Sequence, residues 1–84
     1  MYCAVNMESG KVHLGTLEEV IAAVFDNRIV NRTLTISDHN GTTKLHSYSS
    51  EWTAEEMQED SVRILAHRLI AGAYPFWKLF KEVK

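Results

Sequence analysis

Two copies of one short motif limit most tightly what this chain can fold into. Thr16 stands three residues before Glu19, and Thr53 stands three residues before Glu56, in each case just ahead of apolar residues at helical spacing. In such a capping box, the threonine oxygen accepts a hydrogen bond from the first turn of a helix, and the glutamate bonds back to the threonine amide. The motifs therefore predict two amphipathic helices with well-defined first residues.

The helices are predicted over residues 16–26 and 54–73, because apolar residues recur three and four positions apart in both segments. Gly72 and Pro75 are expected to end or kink the second helix. A short C-terminal helical extension is predicted from apolar residues at helical spacing after the proline, namely Phe76, Leu79, Phe80 and Val83.

Alternating stretches rich in β-branched residues precede both helices. Residues 2–14 alternate around Ser9-Gly10, and residues 29–48 alternate around Asn40-Gly41, the strongest hairpin signal in the chain. Each hairpin is predicted to have one apolar face. In the first hairpin these apolar residues are Cys3, Val5, Met7, Val12 and Leu14, and in the second they are Leu34, Ile36 and Leu45. The opposite, polar face of the second hairpin is predicted to hold Thr33, Thr35, Lys44, His46 and Tyr48.

The predicted fold class is α+β, in the order ββαββα. The two antiparallel hairpins form one sheet, and both helices pack on one face of it, which buries every apolar face. With 84 residues and no linker, residues 1–84 make a single domain. No apolar run approaches the roughly 20 residues that cross a bilayer, and no signal peptide is visible, so we expect a cytoplasmic protein without a membrane span.

Residues that can carry chemistry are scattered along the chain. No pair among its single cysteine and four histidines has the spacing of zinc ligands, and no nucleotide-binding or nucleophile motif is present. Cys3 falls on the apolar face of the first strand, where a small buried hydrophobic residue is expected. We therefore expect no enzyme activity, no metal or other cofactor, and no small-molecule substrate.

The charges are unevenly distributed, although the net charge is only −2. Residues 51–60 carry five acidic and no basic side chains, whereas residues 61–84 carry five basic and one acidic. The acidic residues are Glu51, Glu55, Glu56, Glu59 and Asp60. The distribution is typical of side chains that complement a helix dipole. The alternative is an acidic patch that imitates nucleic acid or meets a basic partner.

The C-terminal tail has the most unusual composition. Residues 74–80 contain four of the eight aromatic residues, and lysines are interleaved with them. Aromatic and basic residues together are typical of protein interfaces. The candidate partner-binding residues are Tyr74, Phe76, Trp77, Lys78, Phe80 and Lys81. The alternative is that the tail closes the core, with the lysine stems lying over it.

These observations predict a small non-enzymatic regulator or inhibitor that binds a protein partner or forms a homodimer. Its surface would be the tail and the second helix, whose apolar arc is wider than contact with one sheet requires. Small acidic inhibitors encoded by phages or other mobile elements have this profile. Nucleic-acid binding, or acidic mimicry by residues 51–60, is the less favoured alternative, because a pI near 6.0 argues against general nucleic-acid binding.

Overall fold

A computed structural model describes residues 1–81 as two antiparallel sheets and two helices. The elements in chain order are β1 (Tyr2–Asn6), β2 (Val12–Gly15), α1 (Leu17–Val24), β3 (Asp26–Val30), β4 (Thr33–Asp38), β5 (Gly41–Ser47), α2 (Ala54–Ile70) and β6 (Trp77–Lys81). Sheet A has the strand order β2-β1-β6, and sheet B has the order β3-β4-β5. The α+β class is confirmed, but the single sheet and the strict ββαββα order are wrong.

Both capping boxes form as predicted. Thr16 accepts from the amide of Glu19 and Thr53 from that of Glu56, at 3.2 and 3.1 Å, and each glutamate accepts from the amide of its threonine at 3.0 Å. These hydrogen bonds satisfy amides that the first turn of a helix leaves without partners. They lower the pKa of Glu19 and of Glu56, mainly through the bond from the threonine backbone.

An unpredicted tight turn divides the first strand of the predicted second hairpin into two strands, β3 and β4. Asn31 and Arg32 form a two-residue loop, and both have positive φ, at 49° and 61°. A loop of this kind matches the right-handed twist of the two strands that it joins. Such a backbone is unfavourable for arginine. The guanidinium of Arg32 compensates by donating to the carbonyl of Ser49 from two nitrogens, at 2.9 and 2.6 Å, and to the carbonyl of Trp52.

We expect Arg32→Ala to lower the free energy of unfolding by about 1.5–3 kcal/mol, the usual contribution of a hydrogen bond to a charged group. The substitution leaves the positive φ in place and removes the hydrogen bonds that the Arg32 side chain donates to the loop before α2. Urea unfolding followed by circular dichroism measures the change. Arg28→Ala is the matched control, because Arg28 is exposed and lies 3.7 Å from Asp26 as its ion-pair partner. Equal losses in the two variants would show that the loop contacts contribute nothing.

The predicted C-terminal helical extension is a strand instead. Gly72, at φ 81°, ends α2 at Ile70, before the predicted residue 73. After the turn, β6 pairs antiparallel with β1, so that Leu79 lies opposite Ala4. Val83, the last residue assigned to the extension, lies outside the described residues.

A two-residue turn at Ser9-Gly10 would pair Val5 with Leu14. The first hairpin forms with a register two residues away from this, since Val5 pairs with Val12. The side chain of Asn6 causes the longer loop: its Oδ1 accepts from the amides of Glu8 and Ser9, at 2.9 and 3.0 Å. Because the shift is an even number of residues, each side chain keeps its predicted face.

In the second hairpin the turn is one residue earlier than predicted, since Asp38 pairs with Gly41. Lys44 pairs with Thr35 and His46 pairs with Leu34, so Leu45 has no partner in β4 and forms a β-bulge. The bulge turns His46 to the helix side, and Tyr48 is buried there. The prediction that His46 and Tyr48 share the polar face with Lys44 is wrong for this reason.

The core lies between the helices and both sheets. Its larger buried cluster consists of Ile21, Phe25, Val62, Leu65, Ala66 and Leu69. Ile36 and Leu45 pack against it from sheet B, and Trp77 and Leu79 pack against it from sheet A. A second cluster joins Leu34, Tyr48 and Met57. The apolar arc of α2 is wide because the helix packs against both sheets. Little of this arc is therefore left exposed for a partner.

The Cα atoms extend over 39 × 34 × 18 Å. The smallest of these dimensions fits one layer of helices on one layer of strands. Each sheet consequently has one face toward the helices and one toward solvent. Within residues 1–81, no helix is both long and apolar enough to cross a membrane.

Candidate functional site: the outer face of sheet A

The solvent-facing side of sheet A is apolar. The register aligns Cys3 with Leu14 and Phe80 in one row across the three strands, and Val5 with Val12 and Lys78 in the next row. The amide of Met7 donates to the carbonyl of Phe76 at 2.6 Å, which continues the β1–β6 pairing into a third row. We call this surface the outer face of sheet A; it comprises Cys3, Val5, Met7, Val12, Leu14, Phe76, Lys78 and Phe80.

Large apolar side chains on this face are strongly exposed. Leu14 and Met7 are each 63% exposed, and Phe76, Phe80 and Val12 are between 53% and 55% exposed. Within the described residues, these five are the majority of the eight large hydrophobic residues classed as exposed. Single exposed hydrophobics are ordinary, but a contiguous group of them marks an interaction surface.

The sequence pattern correctly grouped the five apolar residues of the first hairpin on one face, but it placed that face toward the helices. The opposite face carries Ala4, which is fully buried. On this side α1 contacts β1 and β2, and a Cβ added at Gly15, which lies opposite Tyr2, would come within 3.1 Å of Glu19. Trp77 and Leu79 of β6 supply the apolar contacts there, so Cys3 is half-buried on the solvent side and not in the core.

The structure divides the six tail residues between the two faces. Phe76, Lys78 and Phe80 lie on the outer face, while Trp77 faces inward and stacks on His13 with ring centroids 5.8 Å apart. The ring of Tyr74 packs edge-on against Phe25 at 4.9 Å. Lys81 is exposed at an inward register position, opposite Tyr2. Three of the six candidates therefore come together.

The acidic residues of 51–60 have different surroundings. Glu56 belongs to the capping box, and Asp60 accepts hydrogen bonds from Tyr48 and Arg63. Glu51, Glu55 and Glu59 are exposed. The first turn of α2 is acidic and its last turn contains His67 and Arg68, as the helix-dipole interpretation predicts.

Asp60 is the centre of a hydrogen-bonded network that sequence patterns do not reveal. Its Oδ2 accepts from the hydroxyl of Tyr48 at 2.8 Å, and its Oδ1 accepts from Arg63 at 2.6 and 3.0 Å. Burial raises the pKa of Asp60, but the bonds from Arg63 and Tyr48 outweigh it and lower the pKa overall. Burial, together with the bond to Asp60, raises the pKa of Tyr48 to about 12. A tyrosine held so firmly protonated fits a structural role.

The outer face of sheet B is polar and forms a trough of about 550 Å³. Arg28 and Lys44 flank Thr35 in one row of the register. The hydroxyl groups of this face largely bond within the sheet, as Ser37 does with Thr42 at 3.0 Å. No aromatic ring lines the trough, so among its lining residues nothing is suited to stacking nucleic-acid bases.

The part of the chain that the structure describes contains no group of three or more histidine, cysteine, aspartate or glutamate residues placed to hold a metal ion. No protein-family model matches the sequence, and neither a curated protein nor a solved structure matches it. Among the described residues, the outer face of sheet A holds most of the exposed large apolar side chains.

Proposed function

We propose that this chain is a small protein-binding protein that associates through the outer face of sheet A. The observation that carries the proposal is the cluster of five strongly exposed large apolar side chains on one flat face. A regulator or inhibitor of this kind acts by binding to its partner and not by catalysing a reaction. The proposed surface keeps Phe76, Lys78 and Phe80 of the surface expected from sequence, but it does not include α2, whose apolar arc packs within the core.

The driving force is the removal of apolar surface from water, about 25 cal/mol for each Å² buried. Phe76 and Phe80 are the largest side chains of the face. Phe80 lies near the end of β6, an edge strand of sheet A, and Phe76 lies one residue before β6 begins. Aromatic side chains of this kind are frequent anchors of protein interfaces. Lys78 lies between them, so a partner must accommodate one ammonium group beside two rings.

Affinity purification from cells that encode the chain tests the proposal. We expect tagged wild-type protein to retain a specific partner, and we expect Leu14→Lys and Phe80→Lys to lose it. Ile70→Lys is the matched control, because Ile70 is an exposed apolar residue of α2, 72% exposed, and lies outside the face. Retention by all three variants, or equal loss from all three, would contradict the proposal.

Point substitutions are required here in place of a tail deletion. Removing residues 75–84 would take away β6, which pairs with β1 along five residue pairs and supplies Trp77 and Leu79 to the core. A deletion would therefore abolish binding by unfolding sheet A. Circular dichroism of each point variant shows whether the fold is retained.

A further inference from the structure

We propose that the occupant of the outer face of sheet A is a second copy of this chain. The two copies pack these faces against each other as a β-sandwich with two-fold symmetry. This inference rests on the proposed function and names its partner. In such a sandwich both inner faces must contribute large apolar side chains, and two sheets about 10 Å apart pack with their strands nearly aligned.

The available area suits a reversible dimer. An aromatic side chain buries about 150–250 Å², so a half-exposed one offers about 100 Å² to a partner. Five side chains of similar exposure on each copy give a total buried area of about 1,000 Å², at the lower limit for a specific interface. Interfaces of this size form weak complexes, and we therefore expect a dissociation constant in the micromolar range, on the order of 1–100 μM.

The arrangement of the rows favours self-association about one particular axis. A two-fold axis parallel to β1 places β6 of each copy over β2 of the other. Lys78 then faces Val12 of the second copy, so the two ammonium groups, the charges of this face among the described residues, do not meet. The same axis sets Phe80 against Leu14 of the second copy, which brings bulky apolar side chains together.

Four acidic side chains at the starts of the helices lie away from this contact. Glu18 and Glu19 lie in the first turn of α1, and Glu55 and Glu56 lie in the first turn of α2. The helices cover the inner side of sheet A, so these carboxylates are on the far side of the sheet from the proposed interface.

Sedimentation velocity on the untagged full chain, from about 1 μM to about 1 mM, measures the association. We expect the mass to rise with concentration from 9.6 kDa toward twice that value. Leu14→Lys should weaken the dimer by at least about tenfold, whereas Ile70→Lys should leave it unchanged. A wild-type chain that stays monomeric over the whole range overturns the inference.

Cys3 provides a second, geometric test, because β1 of each copy faces β1 of the other across the proposed axis and the chain has one cysteine. A short bismaleimide should link Cys3 to Cys3 of the second copy in high yield. The control is the double variant Cys3→Ser, Thr35→Cys, which moves the thiol to the outer face of sheet B; we expect only collisional linking. Equal yields from both proteins overturn the proposed axis and face.

The two proposals fail in different ways. A monomeric wild-type chain that still captures another protein through Leu14 and Phe80 overturns the dimer and supports the proposed function. A monomeric chain whose captured proteins are indifferent to both substitutions contradicts both.

Discussion

Replacing Leu65 with alanine is expected to lower the free energy of unfolding by about 2–5 kcal/mol, the range for large-to-small substitutions in a packed core. Leu65 is fully buried in the cluster that joins α1, α2 and both sheets. The expected total for a chain of 84 residues is about 4–13 kcal/mol, so the variant would lose a large share of its stability. Thermal and urea unfolding, followed by circular dichroism, measure the loss.

Ile70→Ala is the control for this prediction, since it removes a similar side chain from the same helix at an exposed position. We expect its effect to stay within about 0.5 kcal/mol. The comparison separates burial from helix propensity, because both variants place alanine in α2. Similar effects for the two substitutions would mean that α2 does not pack against the two sheets as described.

The helices were predictable because their signals are local. Each capping box involves residues three positions apart, and the same four residues make the same hydrogen bonds in the folded chain. The apolar spacing of α1 and α2 likewise depends on neighbours within a turn. The early end of α2 could also be predicted, because glycine readily adopts the positive φ that ends a helix, as Gly72 does here.

The strands were harder to predict because their partners are distant. Phe76, Leu79 and Phe80 fit helical spacing, but Trp77, Leu79 and Lys81 also fit the alternation of a strand. The free edge of β1, at the other end of the chain, decides between them by pairing with β6. Local patterns contain no information about that edge. The turn at Asn31 carried a weak signal, since asparagine tolerates positive φ.

The candidate site shows what an alternating pattern can and cannot establish. Alternation in residues 3–7 correctly grouped Cys3, Val5 and Met7 on one face. Which face becomes buried depends on where the helices lie, and α1 lies on the side of Ala4. The alternation in β5 also fails to fix the face of each residue. The extra residue Leu45 places His46 and Tyr48 on the side of the helices.

The second large effect is expected from Asp60→Ala, about 2–3 kcal/mol of lost unfolding free energy. Asp60 is 13% exposed at its side chain and accepts the hydroxyl of buried Tyr48, a bond to a charged group worth about 1.5–3 kcal/mol. Removing the carboxylate also leaves that hydroxyl without this partner. The ion pair with Arg63 adds little, because the arginine is 72% exposed. Urea unfolding at neutral pH measures the loss, and Tyr48→Phe with the double variant isolates the coupling between the two groups.

The pH dependence of that loss identifies the network. Because folding lowers the pKa of Asp60 below its ordinary 3.8, its contribution is present above this value and disappears as the pH falls through the folded pKa. Folding raises the pKa of Tyr48 from 10.0 to about 12, so its contribution is present below pH 10.0 and disappears as the pH rises to about 12. Glu19 and Glu56 have lowered pKa values in both proteins and cancel in the difference. We therefore expect the stability gap between wild type and Asp60→Ala to be constant around neutral pH and to shrink at both extremes. A gap independent of pH would show that Asp60 contributes by packing and not by its charge.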